Sequence, residues 1–402
     1  MTLPSSGPLS LTQIQTEFGG PTPIQLENYY RGGTYVPNIS TNAGVPTSGA
    51  IGITSFYGAA AVLPFNGFYA PAAMNGSSTF AKMLSVAVNS SGLFVAVGYN
   101  NNSYPVYATS TNGSTWTTPA LMNGSTTAVT MKSVTVNSSG LFVAIGFDSN
   151  AYPVYATSSN GSTWSTPALM NGSTTIAYMS SVTVNSSGLF VAVGSNVSGY
   201  PLYATSSNGS TWTTPALMNG STANAQMQSV TINSSGLFVS VGYNNNYYPV
   251  YATSSNGSTW TTPALMNGST ATAQMRSVTV NNSGLFVAVG FSNSGYPLYA
   301  TSSNGSTWTT PAQMNGSTGY NLMIGVAVNS AGRFVAVGTG NVSGGVPLFA
   351  TSTDGSTWTT PAAMSGTSTT SFVNGVAVNS AGEYVAVGYD ATSSFPVATY
   401  SY

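Results

Sequence analysis

The sequence predicts an all-β protein: a seven-bladed β-propeller closed by an N-terminal strand, joined to a small N-terminal anchoring module of irregular chain and short helix. Three observations predict it. A marker segment, SVAVNSSGLFVAVG, begins at Ser85, and related segments begin at Ser133, Ser181, Ser229, Ser277, Gly325 and Gly375. The steps are 48, 48, 48, 48, 48 and 50 residues, matching the roughly 40–50 residues of a four-stranded propeller blade. Each unit holds short apolar or alternating runs between Gly- and Asn-rich turns, and helix signals are missing from residue 60 onward. The seventh unit stops after FPVATYSY (395–402), where its fourth strand is due.

The second unit shows the strands. MKSVTVNSSG (131–140) alternates apolar and polar residues and ends in a turn. LFVAIGF (141–147) is a short apolar run, YPVYATSS (152–159) follows a polar loop, and TWSTPALM (163–170) follows Asn160-Gly161. That predicts four strands and three turns, with the NSSG glycine supplying the positive φ of a tight hairpin. The missing strand of the seventh unit is supplied from the other end. PFNGFYAPAAMNG (64–76) matches NGSTWTTPALMNG with two residues deleted and Phe68 in place of Trp. Residues 61–76 therefore complete the last blade, and closure removes exposed edges. An open solenoid of seven repeats is the alternative.

Composition narrows the function. The 402 residues include five Lys and Arg, six Asp and Glu, and no His or Cys. Charged residues are 3% of the chain, against about 25% in ordinary globular proteins. Nucleic-acid binding by counterion release needs clustered cations, so no nucleic-acid partner is expected. His/Cys metal sites, thiol chemistry and disulfides have no residues to build them, and no cofactor is expected. No apolar run approaches the roughly 20 residues of a membrane helix, so no membrane insertion is expected. The N-terminus, MTLPSSGPLSL, lacks a signal-peptide pattern.

Every Trp lies in a six-fold phrase such as TSSNGSTWTTPALMNG (205–220). Its SSNGSTW core resembles the Asp-box turn of bacterial sialidases and related propellers, Ser-x-Asp-x-Gly-x-Thr-Trp, one residue shortened. Asn112, Asn160, Asn208, Asn256 and Asn304 stand at the acid position, and Asp354 keeps the acid. The resemblance implies a structural turn whose polar side chain bonds turn amides, which Asn also does. It makes Trp116, Trp164, Trp212, Trp260, Trp308 and Trp358 one packing peg per blade, with sugar-stacking platforms as the alternative. It does not bring sialidase catalysis, which needs three Arg, a Tyr–Glu pair and an Asp. The propeller has only Arg276, Arg333 and one Glu, Glu383. A carboxylate pair needs two acids close together, and Asp148, Asp354, Glu383 and Asp390 are scattered in the sequence. The expectation is a non-enzyme.

The repeats differ in two places. One is the connection between strands two and three, for example YNNNSYP (99–105) and YNNNYYP (243–249). The other is the link between blades, whose last position is the most varied: Leu84, Lys132, Ser180, Gln228, Arg276, Ile324 and Asn374. In a propeller both belong to one face, opposite the invariant turns. A diversified face suits recognition; drift in unimportant loops is the alternative. Tyr99, Lys132, Asp148, Gln228, Tyr243, Arg276 and Asn374 are the candidate ligand-binding residues. A surface of Asn, Ser and Tyr suits a neutral glycan or a protein surface.

The first sixty residues carry three related phrases: GPLSLTQIQTEFGG (7–20), TPIQLENYYRGG (22–33) and TSGAIGITSFYG (47–58). SLTQIQTEF predicts a helix with Ser10 as N-cap, ended by Gly19 or Gly20. LPSSGPLSLTQIQTEFGG, PIQLENYYRGGTYVP and VPTSGAIGITSFYG together resemble a module of tailed-bacteriophage virion proteins, particularly tail-fibre and baseplate-associated ones. The resemblance implies that residues 1–60 attach to other virion proteins. Residues 61–402 then form the propeller of a tail-fibre or adhesin-type component on the virion surface. Its partner would be a host surface glycan or protein. A purely structural decoration, neck or baseplate protein is the alternative, and the oligomeric state is open.

Overall fold

The structure, a computed structural model, describes residues 2–36, 42–60, 65–76, 80–317, 319–340, 345–365 and 370–401. Seven four-stranded antiparallel sheets form a closed ring. In blade two the inner strand is Val129–Val136, followed by Phe142–Asp148, Pro153–Ser158 and Ala168–Leu169. Blade seven takes Ser371–Val378, Tyr384–Asp390 and Pro396–Tyr400 from the C-terminus and Ala72–Ala73 from residues before blade one. Ala72 pairs with Ala398, and Phe68 bridges Ser401. The expected closure is present and the open solenoid is not.

The core lies between neighbouring sheets. Val95 and Val97 of blade one pack with Met131, Val134, Phe142 and Trp164 of blade two, and this wedge repeats around the ring. The seam between blades seven and one is packed alike, with Val385, Val387 and Ala398 against Met83, Phe94 and Trp116. Phe68, fully buried, fills the wedge between blades six and seven where other wedges hold Trp.

The outer strand is shorter than predicted. Residues 163–170 read as a strand, but only Ala168–Leu169 joins the sheet. Pro167 has no N–H to donate. Upstream of it the Ser165 hydroxyl accepts the Thr157 N–H at 3.0 Å, and Ser165 N–H donates to Thr157 O at 2.8 Å. The chain then enters a tight turn at Met170–Gly172, with Asn171 left-handed at φ 48°. Asn171 Nδ2 donates to Thr214 Oγ1 of the next blade at 2.8 Å. Among the described residues six such latches, from Asn75 to Thr118 through Asn315 to Thr360, tie consecutive blades.

The inner strand carries a bulge that decides where the variable side chain goes. In blade two Met131 pairs with Gly146 and Ser133 with Ile145, leaving Lys132 unpaired between them. The same shift occurs in all seven blades, at Leu84, Lys132, Ser180, Gln228, Arg276, Ile324 and Asn374. A bulge re-aims its extra residue out of the pleat. It requires the last glycine of FVAVG-type strands: a Cβ on Gly146 would overlap the Thr130 carbonyl oxygen. The following serine ties blades together, as Ser133 Oγ accepts Val182 N–H at 3.2 Å.

The N-terminal module has its own core of Leu3, Ile14, Phe18, Tyr29, Val36, Val45, Phe56 and Ala59. Its helix α1 (Leu11–Phe18) starts on a Ser10–Gln13 capping box and ends at Gly19. The other two phrases form 3₁₀ turns at Leu26–Tyr29 and Ile53–Phe56. Each phrase contributes one ring to a common cluster: Phe18 and Tyr29 both pack on Phe56, at centroid distances of 6.2 and 6.4 Å. A cavity of about 610 Å³ is lined by Thr2, Leu3, Gln13 and Phe18 together with Ser330 and Ala331 of blade six. The module thus lies beside the first hairpin turn of blade six.

Candidate ligand-binding face

The two variable segments meet on one face. In each junction the link to the next blade donates a backbone N–H to the preceding loop between strands two and three. Val129 N–H donates to Ser103 O at 2.7 Å and Ala273 N–H to Tyr247 O at 2.7 Å. The accepting residue is left-handed in all seven loops: Ser103, Ala151, Gly199, Tyr247, Gly295, Gly345 and Ser394. Side chains other than glycine pay for that conformation, so Ser103, Ala151, Tyr247 and Ser394 are held there by the fold.

At the axis, the bulged residues Leu84, Lys132, Ser180, Gln228, Arg276, Ile324 and Asn374 line one cavity of about 150 Å³ with their neighbouring Ser, Gly and Val residues. Four of the seven predicted binding residues, Lys132, Gln228, Arg276 and Asn374, thus share one wall. Arg276 Nη1 donates to Gln228 Oε1 at 3.2 Å and Nη2 to Gln274 Oε1 at 2.6 Å. Its guanidinium lies over the rings of Tyr243 at 5.0 Å and Phe291 at 5.1 Å. Asn374 Nδ2 donates to Met83 O at 2.9 Å. Burial lowers the Lys132 pKa, and the Arg276 charge lowers it further.

The remaining predicted residues divide. Tyr243 belongs to the axial group through Arg276 and stacks on exposed Tyr247 at 5.8 Å. Tyr99 lies opposite Lys82 in blade one, and Lys82 Nζ sits 4.6 Å from the ring centre of Tyr389 in blade seven. Asp148 borders a separate cavity of about 230 Å³ with Ser149, Phe147 and Tyr178. Its Oδ1 accepts N–H bonds from Asn150 and Tyr152 at 2.9 and 2.8 Å, so the carboxylate braces its loop. Tyr99 and Asp148 are not brought into the channel. Sequence reasoning missed Lys82, Tyr178, Tyr247, Gln274 and Phe291. They sit within the variable segments or at their strand ends, but which of them touch depends on blade-to-blade packing.

The Asp-box turns lie away from this face. In blade two Asn160 Oδ1 accepts Ser162 and Thr163 N–H at 2.9 and 2.7 Å, and Trp164 Nε1 donates to Gly161 O at 3.0 Å. Trp164 is 3% exposed and packs beside Tyr107 of blade one at 6.1 Å. Asn112, Asn208, Asn256 and Asn304 accept turn amides in the same way. Trp116, Trp212, Trp260, Trp308 and Trp358 are buried with indole N–H groups satisfied by turn carbonyls. Asp354 uses both oxygens, and amide donation from Thr357 in the first place holds its pKa down to about 2.

Solved structures share this ring. A lectin from Burkholderia pseudomallei, BP39L, superposes with TM-score 0.62 at 13% identity, over 79% of this chain and 98% of the lectin. YCF48 bound to D1 peptide superposes with TM-score 0.59 at 14% identity, over 85% and 97%. A PL25 polysaccharide lyase, an ulvan lyase, gives TM-score 0.54 at 10% identity, over 85% and 95%. No family model and no curated protein matches the chain. Similarity this distant shows the propeller fold alone.

The lyase corrects one expectation. The sequence reads as a non-enzyme, yet this propeller frame carries a polysaccharide lyase, so the fold accommodates an enzyme. The absence of histidine and of a close carboxylate pair bears on hydrolytic residue sets only. Elimination chemistry needs neither a carboxylate pair nor histidine, because a tyrosine or lysine can move the proton.

Proposed function

We propose that the propeller is a recognition module whose variable face contacts a host surface glycan or surface protein. Residues 1–60 attach it to a tailed-bacteriophage particle. One observation carries the recognition half. Among the described residues five large apolar side chains are exposed, and Tyr178, Val197, Tyr247 and Tyr320 of these five lie on the variable loops and links. Exposed aromatic area beside Asn and Ser is the chemistry of an adaptable binding surface. Seven similar junctions also allow weak contacts to add. The virion half is supported by the three phrases of the N-terminal module and their shared aromatic core.

The test is binding of the purified full chain to bacterial cells and to a glycan array, with a Tyr178→Ser/Tyr320→Ser variant beside it. Reproducible binding that drops at least tenfold in the variant supports recognition. Binding unchanged by the variant refutes the assignment of this face. No binding to any cell or glycan leaves the purely structural virion component. Released oligosaccharide from any bound polysaccharide would identify catalysis at the same time. Antibody against residues 1–60 that fails to detect the chain in purified particles would refute the virion half.

A further inference from the structure

Among the described residues the lining of the axial channel holds two cations and no anion. Lys132 and Arg276 project from bulges on blades two and five into one cavity of about 150 Å³. None of the residues lining that cavity is Asp or Glu. Lys132 has no hydrogen-bond or ion-pair partner among the described residues. Arg276 spends two N–H groups on the neutral amide oxygens of Gln228 and Gln274. Its Nε is buried and makes no hydrogen bond. Two aromatic faces, Tyr243 and Phe291, fix the guanidinium plane. Like charges in a partly desolvated cavity repel, and an orphaned buried donor costs free energy. A fixed guanidinium with a spare donor and a nearby ammonium is the chemistry that takes an oxyanion. The neutral ring supplies further donors, including the Ser180 hydroxyl and the Gln228 amide.

We infer that the mouth of the axial channel binds one small oxyanion group — carboxylate, sulfate or phosphate — between Arg276 and Lys132. A ligand larger than a free ion places its anionic substituent between Arg276 and Lys132 and lies across the variable face. The stacked Tyr243 and exposed Tyr247 lead outward from Arg276. This departs from the neutral ligand expected from composition. It rests on the proposed recognition face only for the biological source of the anion; the binding chemistry stands on the channel itself.

Calorimetric titration of the full chain tests it, using sodium sulfate, sodium phosphate and glucuronate at constant ionic strength with chloride as control. Saturable binding at one site per chain is expected. Lys132→Leu and Arg276→Gln should each weaken it at least tenfold. Lys132→Leu keeps the fold, because the ring already holds Leu84 and Ile324 at equivalent positions. Its unfolding temperature in chloride should match the parent chain. A general salting effect would act on both chains alike, so loss in the variant isolates the site. Tighter binding of glucuronate than of the free ions assigns the anion to an acidic glycan. Equal or tighter binding of the free ions assigns it to inorganic anion. No saturable binding of any oxyanion, or binding unchanged in Lys132→Leu and Arg276→Gln, overturns the inference. Glycan binding that survives with no oxyanion response would overturn it while leaving the recognition face intact.

Discussion

Substituting Gly146 with Ala tests the bulge that builds the channel. Gly146 pairs with Met131 where the inner strand of blade two shifts register. Its added Cβ would overlap Thr130 O and stand 2.9 Å from Thr130 C and 3.1 Å from Met131 Cα. All three atoms are backbone, so no rotamer change relieves the contact. The strand must move, and Lys132 sits between the displaced residues. Overpacking costs about 1–3 kcal/mol, and a backbone obstacle places this case near about 3 kcal/mol. Gly140 in the same blade is the control. At φ +85° it has nothing within 4 Å of an added Cβ, so Gly140→Ala carries only left-handed strain, about 1 kcal/mol. Chemical denaturation followed by tryptophan fluorescence compares the two. The six Trp are buried pegs between blades and report loss of packing. A Gly146→Ala cost no larger than that of Gly140→Ala would refute the account of why the strand ends in glycine.

Three further outcomes are expected. Phe68→Ala should cost about 3–5 kcal/mol, since the fully buried ring fills the wedge at the closing blade; an unfolding free energy within about 1 kcal/mol of the parent would show that closure does not depend on it. Asp354→Asn should be neutral within about 0.5 kcal/mol near neutral pH, because the five other turns use Asn. The Asp354 carboxylate is held at about 2, below its ordinary 3.8. Its stabilisation is therefore present above the unfolded value and lost as pH falls through the folded one. The parent chain should lose stability relative to Asp354→Asn between about pH 4 and about pH 2, and parallel acid-unfolding curves would contradict this. Ala151→Gly should stabilise the chain by about 0.5 kcal/mol by relieving left-handed strain. Ala151 sits at φ 60° where three other loops have Gly199, Gly295 and Gly345; a lowered unfolding temperature would refute it.

Absence of histidine and of carboxylate pairs speaks to hydrolysis. Lys132, Arg276 and Tyr243 are functional groups outside the hydrolytic residue sets.

Much of the architecture was legible because a repeat writes its strands, turns and period locally. The 48-residue step, the NSSG glycines and the phrase at 64–76 point to seven blades and their closure without any knowledge of contacts. The helix at Leu11–Phe18 is equally local, since its capping box lies within four residues. Tertiary structure alone decided the rest. Trp-x-x-Pro-x-Leu reads as a long outer strand, and only Ala168–Leu169 finds a partner on the third strand. The link that carries Lys132 and Arg276 reads as variable. Its aim into the axis comes from a bulge, which is a relation between two strands rather than a property of either. Likewise Arg276 meets Gln228 at a separation of 48 residues because successive blades repeat the same position around one axis. Periodicity is a property of the chain; register and charge proximity exist only once the ring has closed.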